Sequence, residues 1–245
     1  MHEQRFATPD PVRLEIKLAA GEIEVSTVEG EESEVTLTGP QALVDAARVE
    51  LDGDRLLVTE PKRSFLGLLR DFEGSIHVRA LVPHGSRVVA LTASSDTRLE
   101  GSFGGLELKS ASGDFRVAGE VAGDVTVKGA SGSVHLPHVH GDVDMQTVSG
   151  DLRAEAVDGS VAAKSVSGDV RIEALREGRV SVQNVSGDIS LGVIPGTAVD
   201  VDAGSVSGEV SCEVPLSKSG APNGGPTVVI RSNSVSGDFR VFRAG

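Results

Sequence analysis

The chain has 245 residues, a net charge of −13, one cysteine, no Trp or Tyr and only seven Phe. An acidic chain without clustered Lys and Arg cannot neutralise a phosphate backbone, which argues against nucleic acid and equally against an anionic membrane surface. A lone cysteine excludes an internal disulfide, and 39% hydrophobic residues, mostly small and β-branched, suit a narrow pleated interior.

Taken in chain order, the first third alternates apolar and polar residues: Leu14, Ile16 and Leu18, then Ile23 and Val25, then Val35 and Leu37. That is the period of strands with one buried face. Pro40–Glu50 reads as one short helix or a loop, and Arg55–Thr59 as a further strand. In Ser64–Phe72, Phe65, Leu68, Leu69 and Phe72 recur at helical spacing, which suits a segment packed on a flank or end of the fold. The N-terminus lacks a basic-then-apolar leader pattern and no run reaches transmembrane length, so a cytoplasmic chain is expected, with envelope association as the alternative.

From Gly104 to Gly196 a glycine recurs every nine or ten residues. Counting from each, apolar residues occupy the second, fourth and seventh places: Val143, Met145, Val148; Leu152, Ala154, Val157; Val161, Ala163, Val166; Val170, Ile172, Leu175. Polar residues such as Arg153, Glu155, Arg171 and Glu173 lie between them. Each unit is therefore one short strand with one face buried and, from the break at the fifth and sixth places through Val-Ser-Gly-Asp, one corner. The corner triplets Ser149-Gly150-Asp151, Ser167-Gly168-Asp169 and Ser186-Gly187-Asp188 are read as structural turns, because glycine supplies the turn conformation and Ser and Asp bond to nearby backbone.

Ser precedes the glycine only in alternate units, so the true period is two units, 18 or 19 residues. A closed coil of that perimeter must stack on others to bury its inner face. The expected fold is an all-β parallel β-solenoid (β-helix). Residues 1–85 form a β-rich N-terminal cap and residues 86–245 the repeats, in one continuous domain with an inserted loop at Pro215–Thr227. Two further corners, at Val206–Val210 and Val235–Phe239, extend the stack. Phe239 and Phe242 are expected to close its far end, and Cys212, between Val210 and Val214, is expected to be buried.

The corner motif V-S-G-D-[VIL]-x-[VIL] recurs at Ala111–Val117, Val148–Ala154, Val166–Ile172, Val185–Leu191, Val206–Cys212 and Val235–Val241. With its irregular β-rich lead-in, the chain resembles the DUF4097-type family of bacterial adhesin-like β-solenoid proteins. The resemblance implies a solenoid fold, an adhesive or scaffolding role near envelope and stress systems, and no catalytic residues.

Candidate chemistry is sparse. The acidic column Asp114, Asp151, Asp169, Asp188, Glu209 and Asp238 would stack at about 4.8 Å and could in principle hold calcium, but a turn role is preferred. His135, His138 and His140 lie together, yet zinc needs three or four convergent ligands and the local sequence supplies no others. Neither a metal nor a cofactor is therefore assigned. No nucleophile elbow, P-loop or zincin motif occurs, so the chain is read as not an enzyme. The preferred function is a structural or interaction module, monomeric or weakly self-associating, that binds a protein or glycan. A self-assembling scaffold like the bactofilins and a polysaccharide-active enzyme are the rivals.

Overall fold

The computed structural model describes residues 1–60, 74–215 and 225–245. The expected segments Ser64–Phe72 and most of Pro215–Thr227 lie outside the described residues. The fold is nearly all-β and is a parallel β-solenoid, organised as two compact units, Met1–Gly119 and Glu120–Gly245.

The first unit runs through β1 (His2–Ala7), β2 (Arg13–Val28), β3 (Glu32–Thr38), the short helix α1 (Gln41–Ala46), β4 (Arg48–Asp52) and β5 (Arg55–Thr59). It continues with β6 (Ile76–Pro83), β7 (Arg87–Phe103), β8 (Gly105–Ser112) and β9 (Phe115–Val121), which reaches the unit's edge. Among the described residues antiparallel pairing is confined to β1–β3, β3–β6 and β4–β5. β2 pairs in parallel on both edges: Leu14 faces Leu56 of β5 and Val88 of β7, and Ile23 faces Val78 of β6 and Thr97 of β7. β2 thus lies between strands that all follow it in sequence. Leu14, Ile16, Ile23 and Val25 are buried there, each burial contributing roughly 1.5–3 kcal/mol. Within the strand Gly21 has a φ of +146°, and a Cβ there would fall 1.9 Å from the carbonyl oxygen of Ile76. Only glycine fits.

The second unit is a stack of two-stranded coils. They are β10 (Val125–Gly129) with β11 (Val134–Val139), β12 (Val143–Gln146) with β13 (Leu152–Val157), and β14 (Val161–Lys164) with β15 (Val170–Leu175). Then come β16 (Gly178–Gln183) with β17 (Ile189–Val193), β18 (Ala198–Ser207) with β19 (Val210–Cys212), and β20 (Thr227–Ser236) with β21 (Phe239–Arg243). The registers match the expected period: Val125 faces Val143 and Val143 faces Val161, 18 residues apart each time, and Val161 faces Val180, 19 apart.

The last two coils are out of order. β16 and β17 pair not with the next coil but with β20 and β21, and these in turn pair with β18 and β19. The C-terminal coil is therefore interleaved between two earlier ones. Burial accounts for the choice. Val228, Ile230, Phe239 and Val241 are all at most 2% exposed, with neighbouring coils on both sides. The coil pushed to the outside sets Val201 opposite Ile230, Val210 opposite Phe239 and Cys212 opposite Val241, each a smaller side chain, and of Val199, Val201, Val210 and Cys212 only Val199 is buried.

Two expectations change as a result, and a third position is resolved. Phe239 is sandwiched between β17 and β19 instead of closing the stack. Cys212 is exposed, its Sγ 3.3 Å from the carbonyl of Val214, because among the described residues β19 has a neighbour on one side only. The seventh apolar place also splits in two. Val139, Val157 and Leu175 are buried, whereas Val148, Val166 and Val185 are 46–55% exposed. At Ile194 a register shift beside Leu175 turns Val193 inward in its place.

Candidate functional site

Each Val-Ser-Gly-Asp corner carries several side-chain and backbone columns up the second unit. The serines bridge in parallel from Ser131 to Ser149, Ser167, Ser186 and Ser236, and Ser207 faces Ser236. The N–H groups of Ser167, Ser186 and Ser236 donate to the carbonyls of Val148, Val166 and Val185 in the coil before. This ties down the serine backbone and turns the valine outward. The glycines stack so closely that a Cβ on Gly168 would lie 2.2 Å from the carbonyl oxygen of Gly150, and one on Gly237 2.2 Å from that of Gly187. Their φ values of +139° and +121° independently require glycine.

The aspartates form hydrogen-bonded ladders. Asp151 Oδ1 accepts the backbone N–H of Asp169 at 2.9 Å, Asp169 that of Asp188 at 2.8 Å, Asp188 that of Asp238 at 2.8 Å, and Asp238 that of Glu209 at 2.9 Å. A second ladder runs from Asp124 to Asp142 to Ser160 on the opposite corner. One oxygen of each carboxylate is thus engaged by an amide of the next coil. The bond satisfies a backbone donor and offsets the repulsion between stacked charges.

Beside the first ladder the outward valines Val148, Val166, Val185, Val235 and Val206 form a continuous exposed column, about 19 Å long at the usual strand spacing. A groove of about 580 Å³ runs beside its Val148, Val166 and Val185 stretch, with Lys128, Gln146 and Lys164 also in its lining. Its charged residues are both lysines, on a chain whose net charge is −13. An exposed apolar stripe with a polar rim is the surface signature of a binding site.

The histidines divide. His135 Nε2 faces Glu155 Oε1 at 3.7 Å and stands apart from the other two. His138 and His140 converge on a residue one coil away: His138 Nε2 and His140 Nδ1 lie 2.9 and 2.7 Å from Asp158 Oδ2. The rings are 4.1 Å apart and tilted by 41°. Arg176, a further coil on, donates its Nε–H to Asp158 Oδ1 at 2.9 Å. Burial acts to raise the Asp158 pKa, but hydrogen bonds from Arg176, His140 and His138 outweigh it and hold the carboxyl below its ordinary value. Asp158 and Arg176 escape a reading of local sequence. Their signal is the period itself, since His140, Asp158 and Arg176 follow one another at intervals of 18 residues.

The Toastrack DUF4097 family model matches residues 12–241. Among solved structures, a protein named as a "putative adhesin" from Bacteroides fragilis aligns over 98% of this chain and 96% of its own, with 13% identity and a TM-score of 0.56. A second so named, from Parabacteroides distasonis, aligns over 98% and 96% with 11% identity and a TM-score of 0.43. No curated protein matches the sequence. The first of these likenesses, at 13% identity, shows the fold alone.

Proposed function

Because the chain belongs to the Toastrack DUF4097 family, we propose that it is a non-enzymatic interaction module whose valine column receives an extended segment of a protein partner. The observation that carries this reading is the outward turn of Val148, Val166, Val185, Val235 and Val206, which stand 46–84% exposed in one column. The flanking amides of Gln146, Gln183 and Asn233 offer donors and acceptors to a peptide backbone, and Lys128 and Lys164 favour an acidic segment. The adhesin naming of its structural relatives is consistent with a binding role.

The test is photo-crosslinking in the native cell with a crosslinker at Val166 or at Arg171, which faces outward on β15, the strand that follows that corner. A protein captured at 166, not at 171, and lost in a Val148→Lys/Val185→Lys background supports the reading. Equal capture at both positions, or capture that survives the lysines, removes it.

Self-association is the second reading. Among the described residues β18 and β19 each pair with one neighbour, leaving a parallel edge of the kind that recruits another strand. Sedimentation across a concentration series would reveal a dimer, and a strict monomer would end the idea.

A further inference from the structure

We propose that His138, His140 and Asp158 form a binding site for a zinc-class divalent cation, clipped between two neighbouring coils of the second unit. The three ligand atoms come from outward-facing positions on successive coils and all lie within 4.8 Å of one another. Two imidazole nitrogens and one carboxylate oxygen are the donor set of zinc, cobalt and nickel sites, not of calcium or magnesium, which prefer all-oxygen shells.

The present contacts of 2.9 and 2.7 Å are hydrogen bonds across the space an ion would share. Tetrahedral bonds of about 2.0–2.1 Å separate ligand atoms by about 3.4 Å, so the groups must part by roughly half an ångström. Rotation of partly exposed side chains supplies that movement, since the side chains of His138, His140 and Asp158 are 38%, 41% and 23% exposed. The same exposure leaves room for water in the remaining coordination positions. Arg176 acts as a positioning residue: its Nε–H holds Asp158 Oδ1 and leaves Oδ2 aimed at the histidines. Its positive charge also weakens ion binding, which places this site below a four-ligand structural zinc centre. The corner aspartates differ in kind, because each already spends an oxygen on an amide of the next coil.

The experiment is a calorimetric titration of the tag-free full chain with Zn²⁺, paired with a Co²⁺ titration followed by visible absorption. His138→Ala, His140→Ala, Asp158→Asn and His135→Ala are run alongside, with far-ultraviolet circular dichroism confirming that each retains the fold. The expected result is one Zn²⁺ per chain, cobalt ligand-field bands, and affinity at least about tenfold weaker in the first three variants, with His135→Ala unchanged. Excess Zn²⁺ should also raise the thermal midpoint of the parent and not of Asp158→Asn. No saturable binding, binding indifferent to the three substitutions, or equal competition by Ca²⁺ would overturn the site.

Discussion

Asp188 Oδ1 accepts the backbone N–H of Asp238 at 2.8 Å, joining residues 50 apart in sequence and one step apart in the stack. Asp238 in turn caps the N–H of Glu209, so the C-terminal coil is bonded to a neighbour on each side. The sandwiched position concentrates stabilisation in a segment that ends the chain.

Phe239 therefore packs from both sides. Phe239→Ala is expected to cost about 3–5 kcal/mol in urea-induced unfolding. Val210→Ala, on the outermost strand β19 and 46% exposed, should cost under about 1 kcal/mol. Comparable costs would place the C-terminal coil at the end of the stack instead.

The split of the seventh place gives a second contrast. Leu175 is fully buried, and Leu175→Ala should cost about 2–5 kcal/mol. Val166→Ser, half exposed, should leave stability within about 0.5 kcal/mol. On the strand between, Ile172→Asp buries an unpaired charge and should cost several kcal/mol, whereas Arg171→Asp should shift the unfolding midpoint little. Equal damage from Ile172→Asp and Arg171→Asp would contradict the assignment of faces.

Cys212 should behave as a surface thiol. A maleimide or disulfide reagent is expected to label it fully in the folded protein, at a rate close to that in urea. Protection that is released only on unfolding would show that the thiol is covered.

Stability should fall on the acid side in a way traceable to Glu15. Its carboxylate is largely buried, and a hydrogen bond from Lys17, opposed by burial and reinforced by Arg55, holds its pKa below the ordinary value. A depressed folded pKa contributes stability that is fully present above the unfolded value, about 4.3, and is lost as pH falls through the lower folded value. Urea midpoints measured down to about pH 3 should therefore fall more steeply in the parent than in Glu15→Gln. Parallel slopes would assign the acid loss to other carboxylates.

Much of the architecture was legible in the residues alone. Strand alternation in Leu14–Val25, the strand Arg55–Thr59 and the 18-residue coil all rest on local patterns, and side-chain period and glycine corners act locally, whereas Pro40–Glu50 reads equally as a helix or a loop. The repeat also determined that any coil can stack on any other, and for that reason it left the order open. Which coil lies inside was decided by tertiary packing, because Val228, Ile230, Phe239 and Val241 lose more water by burial from both sides than the inward residues of β18 and β19 would. The same packing exposed Cys212 and the corner valines and brought Asp158 to His138 and His140, since contacts one coil apart exist only once the coils are stacked.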